Sequence, residues 1–215
     1  MDYPTLIASK STPGSIAAWV NYSKLDAVTI VAEAQAEIFS RLRCREMRTL
    51  DTSITTAAGG LNYALPANFL DPIDPLIDNQ GNVYVHKTEG EILRRRSFDG
   101  SGNVVQGVPE FWSIFDEMIQ FETAFDTAGW TLQLLCFKSP APLSSSNTTN
   151  FLTNRYPHLL RRACMMQAAD FQEDGEEYQK HLIKLEAVIE TINAENDLHY
   201  RGVVADGMTN NYVSY

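Results

Sequence analysis

The sequence predicts an α+β protein: a helical bundle, formed by one N-terminal and two C-terminal helices, into which an antiparallel β-domain is inserted. Apolar residues recur at helical spacing near both ends of the chain, whereas its middle alternates short β-rich runs with turn residues. The composition, 44% hydrophobic and 20% charged, is that of a globular chain with a packed core. The expected divisions are an N-terminal segment (1–22), the bundle (23–50 and 150–200), the β-domain (51–149) and an extended C-terminal arm (201–215).

The first long helix is expected over residues 24–48. Ser23 to Asp26 have the S-x-x-D form of a capping box. Basic residues at the end of the segment suit the negative pole of a helix dipole. The apolar positions at helical spacing are Ala27, Ile30, Val31, Ala34, Ile38 and Leu42, and the terminal arginines are Arg41, Arg43, Arg45 and Arg48.

The middle of the chain predicts a sheet of about six strands. Turn-forming residues separate the β-rich runs, and 99–103 has the composition of a tight hairpin loop. Because the connections look too short for parallel crossovers, antiparallel pairing is expected. The predicted strands are 61–65, 83–87, 92–98, 111–115, 118–122 and 131–137.

Two more helices are expected over 157–173 and 176–200. Pro157 suits the first turn of a helix, and Gly175 separates the two. The second helix has apolar residues close to a heptad spacing, which we expect to pack against the apolar face of the first long helix. These seam residues are Leu182, Leu185, Ile189 and Ile192. The arm is expected to be non-helical because it contains Gly202, Gly207 and a pair of asparagines.

The chain is acidic, with 17 basic and 27 acidic residues and a formal charge of −10. A protein that grips duplex DNA normally presents a basic stripe to the phosphates, so DNA is expected to pass this protein without being held. The sequence shows neither a secretory signal nor an apolar run long enough for a membrane span. Three widely spaced cysteines, Cys44, Cys136 and Cys164, are expected to be buried free thiols in a reducing compartment.

No catalytic, cofactor or metal site is expected. The serines lie outside any G-x-S-x-G elbow, and the histidines lack the spacing of metal ligands. Cysteine–histidine pairing stays open, because such partners need only meet in space. The acidic run 173–177 admits a glycosidase or divalent-ion site, but a solvated turn followed by a helix N-terminus is favoured.

Charged clusters are the candidate contacts between subunits. Arg94, Arg95 and Arg96 form a compact basic patch, and strand alternation would put Arg94 and Arg96 on one face. Such a patch serves either solubility or salt bridges to the acidic face of a neighbouring copy. The other candidates are the basic residues Arg155, Arg161 and Arg162 and the acidic residues Glu173, Asp174, Glu176 and Glu177.

A succession of short motifs runs through most of the chain. The early helix alternates alanine with acidic residues, and 65–70 reads Leu-Pro-Ala-Asn-Phe-Leu. A Gly-Val-Pro entry at 107–109 precedes a strand hairpin, and a Pro-x-Leu-Ser exit, a Thr-Asn-x-Leu and a Tyr-Pro-His-Leu helix start follow further on. The order and spacing of these motifs over about 24–200 resemble the adaptor, or head–tail connector, proteins of tailed bacteriophages. His158, the Asp116–Glu117 turn and Phe137–Lys138 depart from the family pattern.

The resemblance implies a structural virion protein rather than an enzyme. Such proteins form a ring of about a dozen copies below the capsid portal, extend the DNA channel for genome retention and ejection, and bind the tail or its nozzle on the far side. The resemblance also implies a location in the virion neck and a C-terminal arm that reaches the portal. Synthesis in the host cytoplasm is expected from the cysteine usage and the missing secretory signal. The arm residues expected to bind are Val203, Val204, Met208, Tyr212, Val213 and Tyr215.

Two other functions stay open at this point. One is a virion-associated cell-wall hydrolase, which would need acidic residues that converge in a cleft, and the run 173–177 is the candidate. The other is a non-viral helical interaction module, which would stay monomeric or dimeric instead of forming a ring.

Overall fold

A computed structural model describes the backbone of residues 1–208 and the side chains of residues 1–196. The chain divides into two compact units. We call residues 1–46, together with the chain from residue 140 onward, the helical unit, and residues 47–139 the β unit. The mixed α+β class predicted from the sequence is confirmed.

The helices and strands follow one another as helix, sheet and helix along the chain. The helices are α1 Tyr3–Leu6, α2 Ile16–Trp19, α3 Ala27–Arg41, α4 Glu89–Arg95, α5 Phe151–Arg155, α6 Pro157–Phe171 and α7 Gly175–Met208, with a 3-10 turn at Arg45–Met47. The strands are β1 Arg48–Asp51, β2 Asn62–Ala64, β3 Phe69–Pro72, β4 Leu76–Asp78, β5 Val83–His86, β6 Gln106–Gly107, β7 Phe111–Phe115, β8 Met118–Phe121, β9 Ala124–Phe125 and β10 Leu132–Lys138.

Helix α3 is shorter than the sequence predicts. Asp26, rather than Ser23, is its N-cap, since Asp26 Oδ1 accepts a hydrogen bond of 3.2 Å from the backbone N–H of Thr29. The helix ends at Arg41 because the chain then forms the 3-10 turn and enters β1 at Arg48. The apolar face predicted from the spacing is confirmed as buried, at Ala27, Ile30, Val31, Ala34, Ile38 and Leu42.

Helix α6 packs against α2, α3, α5 and α7. Its first residue is Pro157, as predicted. The α7 residues Leu185, Ile189 and Ile192 are buried, but α7 packs chiefly on α6, so α3 was the wrong expected partner. The short turn between α6 and α7 makes these helices neighbours.

The chain that follows the β unit is held to α3, at Leu143 and Asn150, by the buried side-chain amide of Gln35. Gln35 Oε1 accepts hydrogen bonds from the Leu143 N–H at 2.7 Å and from Asn150 Nδ2 at 3.4 Å. Gln35 Nε2 donates to the carbonyl of Val31 at 3.2 Å. A buried polar side chain is tolerated when its partners are supplied in this way.

Helix α7 extends to Met208, so the prediction of a non-helical arm is wrong for residues 201–208. Glycine within a helix costs about 1 kcal/mol relative to alanine, and a helix that has already formed propagates at little further cost. Gly202 and Gly207 therefore do not end it. Three of the proposed arm residues, Val203, Val204 and Met208, belong to this helix, whereas Tyr212, Val213 and Tyr215 lie outside the described residues.

The larger sheet of the β unit has the strand order β1-β10-β4-β5-β7-β8-β2, with β3 also paired to β10, and β6 pairs with β9 separately. Aromatic rings fill the core between these elements. The Phe121 and Phe125 rings lie 4.9 Å apart and meet edge to face, an arrangement that aromatic pairs favour. The larger core residues are Tyr84, Trp112, Ile119, Phe121, Phe125, Leu132 and Leu134.

The strand predicted at 92–98 is wrong, because Glu89–Arg95 forms helix α4. A capping box at Thr88 and Glu91 starts this helix. The connection through α4 is long enough for a parallel crossover, so β5 and β7 pair in parallel, with Val85 opposite Phe111. The short strands β6 and β9 are also parallel, and the other pairings are antiparallel as predicted.

The β7–β8 hairpin and the 99–103 turn form as predicted. Strand β7 has the predicted bounds, and Asp116 and Glu117 between the strands have φ angles of 51° and 58°. A two-residue hairpin turn of type I′ requires left-handed angles at both positions. At the second turn Phe98 and Val104 form an antiparallel bridge. No helix in the described part of the chain is both long and apolar enough to cross a membrane.

Candidate functional site

The arginines of α4 do not form the strand face that the sequence predicts. Arg94 is exposed, and its Nε donates to the carbonyl of Gly90 at 3.0 Å. The guanidinium of Arg95 lies 4.3 Å from the centre of the Phe111 ring. Arg96 is half-buried and donates to Gln120 Oε1 at 3.0 Å. Because the segment is helical, the three side chains have different surroundings, and Arg94 and Arg95 are the exposed ones.

The arginines of the helical unit make contacts within their own unit. Arg155 forms an ion pair with Glu46. The guanidinium of Arg161 lies 4.9 Å from the centre of the Trp19 ring, within the range of a cation–π contact. Arg162 is half-buried on α6. Sequence reasoning identified these charges but not the partners that they have within the chain.

The acidic run 173–177 forms the turn from α6 into α7. Glu173 has a φ angle of 57°, and Asp174 Oδ1 accepts a hydrogen bond of 3.1 Å from the N–H of Glu177. Glu176 and Glu177 lie in the first turn of α7, where the helix dipole favours negative charge. The turn is exposed apart from Glu177, which is half-buried, so the favoured interpretation as a solvated turn and a helix N-terminus is confirmed.

A pocket of about 250 Å³ lies beside this turn, between α2, α6 and the start of α7. One part of its lining is apolar and the other part is polar. The apolar residues are Trp19, Val20, Met165 and Ala169, and the polar ones are Gln172, Asp174, Glu177 and His181.

His181 is the buried polar group of the pocket, with 6% of its surface exposed. Its Nε2 lies 3.5 Å from Glu177 Oε2, whereas Nδ1 is buried without a hydrogen-bond partner among the described residues. Burial holds the pKa of His181 below its ordinary value, against the opposing effect of Glu177. We therefore assign a neutral ring with the proton on Nε2, which leaves Nδ1 as a hydrogen-bond acceptor.

Sequence reasoning considered His181 only as a metal ligand and missed this role. The residue lies three positions after Tyr178 and four before Leu185, which puts it on the apolar face of α7. A histidine at such a position indicates burial. The pocket combines residues 19–20 with residues 165–181, which lie far apart in the sequence, so their meeting could not be predicted.

The burial of His181 predicts a pH dependence of stability. The pKa of His181 is lowered in the folded chain. As the pH falls, His181 therefore becomes protonated first in the unfolded chain, near the ordinary histidine pKa of 6.5. Stability is thus present above pH 6.5 and is lost as the pH falls through the lower, folded-state pKa. We expect the melting temperature of the parent to fall more between about pH 7.5 and about pH 5.5 than that of His181→Leu. Equal falls in the two proteins would contradict the assignment.

The thiols of Cys136 and Cys164 are buried and protonated at neutral pH. Burial raises the pKa of Cys164 to about 12 and also raises the pKa of Cys136. A nucleophilic cysteine requires the opposite shift. The prediction that Cys44, Cys136 and Cys164 are buried free thiols is confirmed. Among the described residues, no three His, Cys, Asp or Glu side chains meet in a group that could hold a metal ion.

Comparison with known protein families identifies the chain. A family model described as SU10 adaptor protein matches residues 9–206, nearly the whole length. The chain belongs to the SU10 adaptor protein family. This is a family of phage head–tail adaptors, so the adaptor is a structural phage protein of the virion neck. The resemblance derived from the order of the sequence motifs is confirmed. No curated protein matches the chain.

Proposed function

We propose that this adaptor assembles as a ring of about a dozen copies below the capsid portal, where it joins head to tail. The ring extends the DNA channel and serves genome retention and ejection. Its partners are the portal protein on one side and the tail or nozzle protein on the other. The observation that supports this function best is the family match over residues 9–206.

The charge of the chain supports passage of DNA rather than binding. With a formal charge of −10, the adaptor offers DNA phosphates little attraction, since affinity for duplex DNA depends on neutralising phosphates with lysine and arginine. We infer that DNA passes through the ring without sequence-specific contacts.

The surroundings of the reactive residues support a structural role rather than catalysis. Glu176 and Glu177 begin a helix, and Asp174 caps it. A glycosidase instead needs two carboxyl groups that flank a bound sugar. Because these acidic residues cap and begin a helix, they support the adaptor function over that of a cell-wall hydrolase.

Assembly with the portal tests the proposal directly. Purified adaptor is mixed with portal rings, and the complexes are examined by mass photometry and cryo-electron microscopy. We expect a closed ring of adaptor on one face of the portal, with a central channel wide enough for duplex DNA. An adaptor that stays monomeric in the presence of portal would contradict the proposal.

We propose that contacts between neighbouring adaptors are largely charge pairs. The basic side is Arg94–Arg96 or the group Arg155, Arg161 and Arg162, and the acidic side is the turn with Glu173, Asp174, Glu176 and Glu177. Exposed ion pairs contribute about 0–1 kcal/mol each, so the ring should depend on low salt and on the portal as a template. At about 1 M salt, where the Debye length falls to about 3 Å, we expect far fewer rings by mass photometry. Equal assembly at both salt concentrations would count against these contacts.

We also propose that the C-terminal end of the chain binds the portal. Val203, Val204 and Met208 would contribute from α7, and Tyr212, Val213 and Tyr215 from the residues beyond it. Deletion of 209–215 should leave the melting temperature unchanged but abolish attachment to portal-bearing capsids in a sedimentation assay. A variant of full length with Tyr212, Val213 and Tyr215 changed to serine controls for chain length. Undiminished binding of both variants would refute this role.

A further inference from the structure

We propose that Asn193 and Asn196 of α7 clamp the chain that leaves α3, and that this clamp holds only while α7 stays helical beyond it. We call residues 42–46, which lead from α3 towards the β unit, the connection, and the two asparagines the clamp. The clamp follows from contacts within the helical unit. Its coupling to the portal, described last, rests on the function proposed above.

The connection leaves α3 as extended chain. Leu42, which follows the last residue of α3, has φ and ψ angles of −80° and 132°. In extended backbone, the C=O before a residue and the N–H after it point to the same side. The C=O of Arg41 and the N–H of Arg43 therefore point in one direction, as they would towards a neighbouring strand.

Two asparagines of α7 occupy the position of that neighbouring strand. Asn193 Oδ1 accepts a hydrogen bond from the Arg43 N–H at 2.7 Å, and Asn193 Nδ2 donates to the Arg41 C=O at 3.0 Å. Asn196, which is only 8% exposed, donates from Nδ2 to the Arg43 C=O at 2.9 Å. Because all three bonds are made to peptide groups, the clamp fixes the backbone path of the connection.

The position of the clamp within α7 determines whether it can hold. Helix α7 continues beyond Asn196 as far as Met208. The last four C=O groups of a helix have no partner within it, and the last turn frays. As the chain stands, the clamp lies inside the helix, away from that turn. A helix that ended just after Asn196 would put both asparagines into the fraying turn, and the connection would be released with it.

The first experiment measures hydrogen exchange of the Arg43 amide in the free chain by NMR. In Asn193→Ala this amide loses the acceptor described for it, so we expect exchange about tenfold faster than in the parent. Alanine favours a helix more than asparagine does, so the substitution does not weaken α7 itself.

Thr191→Ala is the control for this variant. Thr191 is exposed on α7, and its hydroxyl donates to the Ala187 carbonyl of the same helix at 2.8 Å. Its removal should leave exchange of the Arg43 amide at the rate of the parent. Equal rates in Thr191→Ala and Asn193→Ala would overturn the clamp.

The second experiment breaks α7 beyond the clamp in the full chain. A proline clashes with the carbonyl four residues before it, so Tyr200→Pro should end the helix near Asn196. We expect the Arg43 amide to exchange about tenfold faster in Tyr200→Pro than in Tyr200→Ala, which removes the same side chain but keeps the helix. Amides of α6 are the internal reference and should exchange alike in both variants. Equal exchange at Arg43 would show that the clamp does not depend on the helix beyond it, and would overturn that dependence.

Portal binding provides the third test, and this step alone rests on the proposed function. If portal binds the C-terminal end of α7, it stabilises the helix beyond the clamp, and its binding is then coupled to the clamp. By mass spectrometry, exchange in a peptide that covers the connection should slow at least about fivefold in the parent bound to portal rings, but not in bound Asn193→Ala. Unchanged exchange in the bound parent would overturn the coupling. An adaptor that does not bind portal would contradict the proposed function instead, while the first two experiments still decide the clamp.

Discussion

Leu185→Asp is expected to unfold the helical unit. Leu185 has 0% of its surface exposed and lies on the face of α7 that packs on α6. A carboxylate at this position would be buried without a partner, which costs several kcal/mol. Since small domains are stable by only about 5–15 kcal/mol, we expect loss of most helical circular dichroism at 25 °C, or a melting temperature lowered by more than about 10 °C.

Ile183→Asp is the matched control for this variant. Ile183 lies two residues away on the same helix and is 64% exposed. The same substitution there adds the same charge without burying it, so the melting temperature should stay close to that of the parent. If Leu185→Asp and Ile183→Asp melt together, α7 does not pack on α6 as described.

Trp112→Ala is expected to have the largest effect in the β unit. Trp112 is 0% exposed on β7, and its Nε1 donates to the carbonyl of Tyr84 at 3.2 Å. Removal of a buried tryptophan side chain costs about 3–5 kcal/mol, because the neighbours fill the cavity only in part. Urea unfolding followed by circular dichroism should show the midpoint shifted to lower denaturant concentration.

Phe115→Ala provides the comparison on the same strand. Phe115 is 47% exposed, so its truncation removes little buried surface, and a change within about 1 kcal/mol is expected. A midpoint for Trp112→Ala as high as that for Phe115→Ala would contradict the central position of Trp112 in the core of the β unit.

The long helices could be predicted from the sequence because their apolar periodicity extends over several turns. The strands β1, β3, β4, β6 and β9 were missed, since two to four residues contain little alternation with which to distinguish a strand from a loop. The segment 92–98 was misassigned because Ile92 and Phe98 favour a strand, while the capping box at Thr88 and Glu91 was overlooked. That single error also hid the parallel pairing of β5 with β7.

The candidate site was predictable in its charges but not in its geometry. The exposed turn 173–177 and the basic clusters are visible in the sequence, because charge and turn composition are local properties. The partners of Arg155 and Arg161 lie far away along the chain, at Glu46 and Trp19. Contacts between distant segments depend on tertiary packing, which a single sequence does not encode in any local pattern.

The antiparallel pairing of β1 with β10 has a consequence for the order of folding. These strands are the first and last of the β unit, and Arg48 lies opposite Phe137. A helical unit that formed first would have to close a loop of about 90 residues, at an entropic cost of about 4 kcal/mol. If the β unit folds first, its own strand pairings already hold the two ends of this loop together. Most of the entropic cost of closing the loop is then absent from the step in which α3 meets α6. We therefore expect the β unit to gain protection against hydrogen exchange earlier during refolding than the helices that flank it in the chain.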